Sequence, residues 1–383
     1  MFIFLAIVGL SIVVFFHELG HFILAKIFKI RVEEFGFGYP PRVCGFVRSS
    51  KKKFRFKFFW SKNEPLEAKT RTIYSLNWIP FGGFNKLKGE LGGKSNDDPD
   101  SFFVQVWWKK ALVAVGGILM NIFLAFFIFA LCYFVGLPQD IEQINGGKIL
   151  RPVGIQIGMV MPNSPADQAG LKIGDVILSL DGQEFKQVKE IQDYIEIKLN
   201  QSLEIKVERQ KEIISQVVNV VPSEQIFDDM KESRGVIGIA LSQTVIVSYP
   251  WHQSIILGVK TTISLTGRLF QGLWLILKNL VVHQQMIGQL LGPVGITTMA
   301  SDMARVGFIY LLQFIGLLSV AIGVFQVIPF PALDGSRIVF SIIEGVRRKP
   351  ISSKIELISI NIGFYLLLLL LLFITVREIF NLI

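Results

Sequence analysis

Charge is scarce in this sequence. Asp, Glu, Lys and Arg make up 18% of its 383 residues, where a soluble globular domain carries about 25%. The deficit is concentrated in long apolar runs, which argues against an ordinary soluble globule. Cysteine is scarcer still. Cys44 and Cys132 lie far apart, the second inside an apolar run, so neither a disulfide framework nor a cysteine-built zinc site can be assembled. Histidine occurs only at positions 17, 21, 252 and 283, which narrows any imidazole site. Acid falls short of base, giving a net charge of +9. No nucleic-acid partner is expected from that excess, because the basic residues gather beside the apolar runs, as they do in membrane proteins.

What the chain does have is four apolar runs, roughly Phe2 to Phe28, Trp107 to Val135, Val306 to Ile328 and Leu357 to Val376, the last with leucine unbroken from Leu366 to Leu372. Each meets the length of about 20 residues needed to cross a bilayer. The first lacks a basic n-region and a small-x-small cleavage site, so it reads as a mature span rather than a signal peptide. The stretch Ile255 to Val282 is interrupted by Lys260, Arg268 and Lys278. It reads as an amphipathic helix on the membrane surface.

Loop charge sets the expected orientation. Arg31 to Asp100 holds 14 basic and 8 acidic residues, including the patch Lys51-Lys52-Lys53-Phe54-Arg55-Phe56-Lys57. The last loop holds Arg347-Arg348-Lys349. Both are expected in the cytoplasm. The middle region, with 11 basic and 16 acidic residues from Pro138 to Pro250, and both termini are then extracytoplasmic.

That middle region carries its own fold signals. Pro162-Asn163-Ser164-Pro165-Ala166 predicts a turn into a short helix, and Ala169-Gly170-Leu171 a helix end. Val176 to Leu180 reads as a strand, and Asp181-Gly182 as a hairpin turn. A helix over 188–198 and strands over 203–209 and 213–221 complete the pattern. The segment SPADQAGLKIGDVILSLDG resembles PDZ domains of bacterial proteases. That resemblance implies a module which accepts a peptide by strand addition or only blocks access sterically.

Chemistry enters at His17-Glu18-Leu19-Gly20-His21. On a helix, positions i and i+4 share a face, so both imidazoles can reach one metal ion. Neutral imidazole suits zinc, and Glu18 can move a proton between an attacking water and the leaving amine. Three ionisable residues inside an apolar span each cost about 2.5 kcal/mol or more unless they are paired or functional. A catalytic zinc takes three protein ligands and one open position. His252 and His283 flank the interfacial stretch, so a carboxylate at membrane depth is the better third ligand. Asp334 fits, in Ile328-Pro329-Phe330-Pro331-Ala332-Leu333-Asp334-Gly335. Its two prolines break the helix and leave backbone that must line a cavity or be buried.

HExxH in the first span, a PDZ-like insert and PFPALDG after the third span together resemble the site-2 protease family of intramembrane metalloproteases. The likeness is greatest to its bacterial members that cleave membrane-anchored anti-sigma factors, and it covers nearly the whole chain. Phe35-Gly36-Phe37-Gly38, Ala114 to Asn121 and Gly292-Pro293-Val294-Gly295-Ile296 resemble further family motifs. The chain departs from them at Ile118, where the family usually has Pro, and at Gln326, where it usually has Asn. It also shows one PDZ-like module where the proteobacterial type has two. Thr72 to Leu87, TIYSLNWIPFGGFNKL, resembles the family's membrane-associated β-hairpin, with Gly82 and Gly83 supplying a tight turn and an exposed edge for capturing an unwound substrate.

The resemblance implies a polytopic α-helical membrane protein of about four transmembrane helices, with a membrane-associated β-hairpin and one inserted extracytoplasmic PDZ-like α+β domain. The expected layout places transmembrane helices at 1–30, 107–136, 306–340 and 357–380. The hairpin region covers 31–106, the PDZ-like domain 150–222, and the interfacial helix with the GPVGI segment 251–300. It implies one Zn2+ held by His17, His21 and Asp334, with Glu18 catalytic. Asn121, Gln326, Pro329, Gly82 and Gly83 would contact the substrate. That substrate would be a single-pass transmembrane protein, cut within the bilayer of a bacterial cytoplasmic (inner) membrane. A peptide ligand of the PDZ-like domain is the remaining partner.

Overall fold

The computed structural model describes residues 2–48, 56–60, 70–90, 98–141, 144, 146–209, 212–225, 234–282 and 292–382. Lys51, Lys52, Lys53 and Arg55 of the basic patch, and His283, lie outside the described residues. The chain divides into two compact units, one of residues 1–129, 258–301 and 311–383, the other of 130–257 and 302–310.

Four helices are long and apolar enough to cross a membrane: Phe4–Ile27, Trp107–Val135, Phe308–Phe325 and Lys354–Phe380. They lie within α1 (Phe2–Ile27), α2 (Trp107–Val135), α7 (Phe308–Phe325) and α9 (Ser353–Leu382). Their faces stay apolar because lipid offers no partner for a polar group, and the helical backbone satisfies itself. Among the remaining described helices, α5 (Trp251–Val282) does not reach the composition of a span. Its Leu265, Leu269 and Leu273, four residues apart, pack on Ala125, Phe129, Val320 and Val324.

Helix contacts within the first unit depend on small residues. A Cβ on Gly20 would collide with the carbonyl of Gly116, and a Cβ on Gly116 would lie 2.7 Å from the carbonyl oxygen of Gly20. Bare backbones therefore let α1 and α2 approach closely. Ser319 of α7 donates to the Asn121 carbonyl of α2 at 2.8 Å.

Strands β1 (Val32–Arg48), β2 (Phe56–Trp60) and β3 (Ile73–Leu87) form a sheet in the order β2-β1-β3. The register shows that β1 and β3 each double back. Ser75 is flanked by Gly36 and Gly45, while Gly36 is flanked by Ser75 and Phe84. Gly82, at φ +64°, occupies the bend of β3 and rests on Val14 of α1. Gly83 follows it, against Phe15. The segment 83–87 is left at the sheet's edge, on the helix that carries the HExxH motif.

The third span, preceded in the chain by α6 (Pro293–Val306), ends at Phe325, and helix α8 (Asp334–Arg347) begins nine residues later. The two prolines fill the break between them. Gly335 is required there, since a Cβ would collide with the Val327 and Ile328 carbonyls.

The second unit is built on an antiparallel sheet in the order β4-β11-β5-β6-β7-β8. Its strands are β4 (Leu137–Asp140), β5 (Lys148–Val160), β6 (Val176–Leu180), β7 (Ser202–Arg209), β8 (Glu212–Asn219) and β11 (Ile239–Ser248), while β9 (Val221–Pro222) and β10 (Gly235–Val236) form a separate two-stranded ladder. The sheet therefore recruits segments on both sides of 150–222. In β7, Leu203, Ile205 and Val207 alternate inward with exposed polar residues. They meet Ile191 and Ile195 of α4 (Val188–Ile197) in the core. Ser164 caps the short helix α3 (Pro165–Gln168). Asp181-Gly182 does turn the chain, but not as a strand hairpin. The return is a single bridge from Leu180 to Gln183, and α4 intervenes before β7 pairs with β6.

Candidate active site

Helix α1 places His17 and His21 one turn apart on the side facing α2. Their Nε2 atoms lie 3.2 Å apart. Asp334 Oδ2, at the start of α8, lies 3.0 Å from His17 Nε2 and 3.2 Å from His21 Nε2. All three residues are buried. The distances are those of ion pairs, yet Asp334 Oδ2 has no hydrogen-bond partner among the described residues. Geometry decides between these two descriptions. The three donor atoms lie within 3.0–3.2 Å of one another, an arrangement that could hold one metal ion. Donors about 2.0–2.1 Å from a tetrahedral zinc stand roughly 3.3 Å apart, close to the spacing observed. The donor set of two imidazoles and one carboxylate is also a zinc set, so these residues fit the ion.

Each imidazole is held from behind. His21 Nδ1 lies 2.7 Å from the Val113 carbonyl oxygen. A carbonyl only accepts, so Nδ1 carries the proton and Nε2 keeps its lone pair for a metal. His17 Nδ1 lies 3.3 Å from the Asn121 amide. Rotating that amide by 180° presents its oxygen, which otherwise has no partner among the described residues, and gives His17 the same tautomer. Gly117 makes the room. A Cβ there would collide with both rings.

A cavity of about 360 Å³ opens beside the three donors, with Glu18, Tyr39, Asn85, Glu90, Gln326 and Arg337 in its wall. Gln326 Oε1 accepts from the Asp334 amide at 3.2 Å, and the Gln326 carbonyl accepts from Gly335 N at 2.7 Å. This side chain therefore fixes the start of α8 and has its amide NH2 left to offer a ligand. Glu90 Oε1 lies 2.5 Å from Arg337 Nη1. The carboxylate holds the guanidinium above its ordinary pKa.

The structure thus brings together His17, Glu18, His21, Gln326 and Asp334. Other expected contacts lie elsewhere. Asn121 is fully buried, and its amide meets His17 rather than the cavity. In this arrangement the Asn121 side chain stands behind an imidazole and does not line the cavity. Pro329 is exposed in the 326–333 turn and does not line the cavity. Gly82 and Gly83 shape the strand edge and lie outside the cavity wall. Three features escaped sequence reading: the Val113 carbonyl, the Glu90–Arg337 pair and Asn85. Only Asn85 left a signal, as a carboxamide inside a strand, where Asn is disfavoured.

The description "Peptidase family M50" belongs to the family model that matches residues 5–61 and 65–370 of this chain. A Clostridium perfringens protein named "Putative zinc metalloprotease" is 30% identical over 380 residues, 99% of this chain and 98% of its own length. The "Regulator of sigma-W protease RasP" of Bacillus subtilis is 25% identical over 446 residues, 96% of this chain and 95% of its own. Among solved structures, the PDZ domain of an SdrC-like protein from Listeria innocua is 29% identical over 23% of this chain and 92% of its own, with a TM-score of 0.20.

Proposed function

The chain belongs to peptidase family M50 and is a zinc metalloprotease; from that premise we propose that it hydrolyses peptide bonds within transmembrane segments of single-pass membrane proteins. The observation that carries this reading is the convergence of His17, His21 and Asp334 at 3.0–3.2 Å, with both imidazoles inside a membrane-length helix and Glu18 in the adjoining cavity wall.

His17, His21 and Asp334 would hold one zinc. Zinc, when bound, supplies a Lewis acid that acidifies a water and polarises the scissile carbonyl. Glu18 takes the proton of the attacking water and delivers it to the leaving nitrogen, so that one carboxylate serves as base and then as acid. Asn121 and the Val113 carbonyl keep the two imidazoles in the tautomer that leaves Nε2 free. Gln326 offers an amide donor to the substrate backbone, one methylene further out than the Asn usual in the family. A transmembrane helix must unwind before it can be cut, and the free edge at 83–87, shaped by Gly82 and Gly83, pairs with the opened backbone. Pro329 holds the break that lets this backbone approach Asp334.

The cytoplasmic loops carry the basic charge, so the site faces the cytoplasmic side of a bacterial inner membrane, with both termini and the PDZ-like unit outside. That unit rejects substrates that still carry bulky external parts, or binds a peptide of them. Trimmed anti-sigma factors and signal-peptide remnants have the required form.

The test is cleavage of a trimmed single-pass reporter by detergent-purified protein, comparing wild type with Glu18→Gln and measuring zinc in both. Cleavage by wild type alone, with about one zinc in each, is the expected result. Zinc in both and cleavage by neither would remove the peptidase reading.

A further inference from the structure

Asn85 lies in the 83–87 segment of β3, paired with Phe35 of β1. Its neighbours fix the direction of its side chain. Lys86 points to solvent, where it pairs with Glu33 at 2.9 Å. Gly83 rests on Phe15 of α1, and Leu87 joins the cluster of Ala25 and Val113. Side chains alternate along a strand, so Asn85, between Gly83 and Leu87, faces the HExxH helix. It lines the same cavity as Glu18. There its Nδ2 and Oδ1 are both buried, and neither has a hydrogen-bond partner among the described residues.

That combination is unusual. Buried polar groups are nearly always paired, and an exception calls for an explanation. Asn is also a poor strand residue. Local rules broken together at one position mark a functional site more often than a defect. The chemistry of the orphan is specific. A carboxamide presents one acceptor and a donor side by side, which is the complement of the N–H and C=O that a single residue of an extended peptide displays.

We propose that the Asn85 carboxamide binds the substrate backbone, accepting from one residue's N–H and donating to its C=O as the unwound segment lies along the 83–87 edge beside Glu18. The proposal rests on the peptidase reading of this cavity and adds to it a contact that reads backbone rather than side chain. Selection for sequence is therefore weak at this subsite, and selection for unwound conformation is strong.

The experiment compares wild type, Asn85→Leu and Asn85→Ala on a trimmed single-pass reporter, with thermal unfolding measured alongside. The expected result is a KM raised about tenfold, the scale of a peptide group left unpaired, with kcat within about threefold of wild type. Asn85→Leu should unfold at or above the wild-type temperature, because an apolar group of similar size replaces an unpaired polar one. An unchanged KM in a folded variant overturns the proposal, as does a lowered unfolding temperature with unchanged KM, which would make Asn85 structural. Should neither variant fold, Asn85→Cys in a Glu18→Gln background is tested for disulfide cross-linking to reporters with one cysteine moved along the transmembrane segment. The parent, whose Cys44 and Cys132 are buried, is the control. A cross-link confined to one register supports the contact, and none at any register overturns it. Wild type that cleaves no reporter removes the peptidase reading itself, a result separable from a variant that matches an active wild type.

Discussion

Gly117 and His21 meet so closely that a methyl group on the first would stand 2.5 Å from Nε2 of the second, and 2.6 Å from His17 Cε1. Helix α2 thus serves as the floor on which both imidazoles lie, and its smoothness at this point is part of the site. Gly117→Ala should leave the helices intact and weaken zinc binding about tenfold or more, the scale seen when the support of a metal ligand is disturbed. Competition with a graded series of chelators reads this directly. Wild-type zinc retention in the variant would mean that the rings need no such floor.

Asn121 offers a second handle on the same ligands. Asn121→Leu removes the acceptor behind His17 Nδ1 and frees the ring to turn or change tautomer. Zinc affinity should fall about 10- to 100-fold, while Asn121→Asp, which keeps an acceptor, should lose less. If KM for a reporter rose instead and zinc binding did not move, the residue would be a substrate contact after all.

Deep between α2 and α8, Lys110 Nζ lies 2.9 Å from Glu344 Oε2, with both side chains buried. Glu344 also accepts from Ile351 N at 2.9 Å. Glu344→Gln or Lys110→Met alone should cost about 3 kcal/mol, because a buried charge is left without its partner. The pair Lys110→Met with Glu344→Leu should recover most of that loss. Thermal unfolding in detergent distinguishes the three variants. Equal damage in single and double variants would mean that packing, not charge, is at stake.

In the second unit, Asp181 accepts from Glu204 N at 2.9 Å, from Tyr194 Oη at 3.0 Å and from Lys198 Nζ at 3.1 Å. Partial desolvation pushes its pKa up, but these partners outweigh it and hold the carboxylate below its usual value. A depressed carboxylate stabilises the fold above its unfolded pKa of about 3.9, and that contribution fades as pH falls through the folded value. Amide exchange along β7 should therefore speed up below roughly pH 4 in wild type, and do so less in Asp181→Asn. Parallel pH profiles would remove Asp181 from acid stability.

Much of this architecture was legible because lipid imposes simple rules. Runs of about 20 apolar residues became helices, and the two histidines four apart met on one face. Pro329 and Pro331 announced the break that delivers Asp334. What was hidden depends on contacts made at a distance. Nothing local to Asn121 says that its amide will be sealed behind His17. The Val113 carbonyl has no side chain to betray it. The doubling back of β1 and β3 is a matter of register, which short glycine-rich strands specify weakly. Asp181-Gly182 looked like a hairpin because the turn chemistry is right, and only the helix inserted after it changes the partner.

The three donor atoms also come from segments far apart in the sequence, two from α1 and one from the start of α8. A ribosome making this protein releases His17 and His21 early and Asp334 late. Until Asp334 has been synthesised, the nascent polypeptide has only two of the three donors. The set of donors therefore cannot be complete before translation reaches α8.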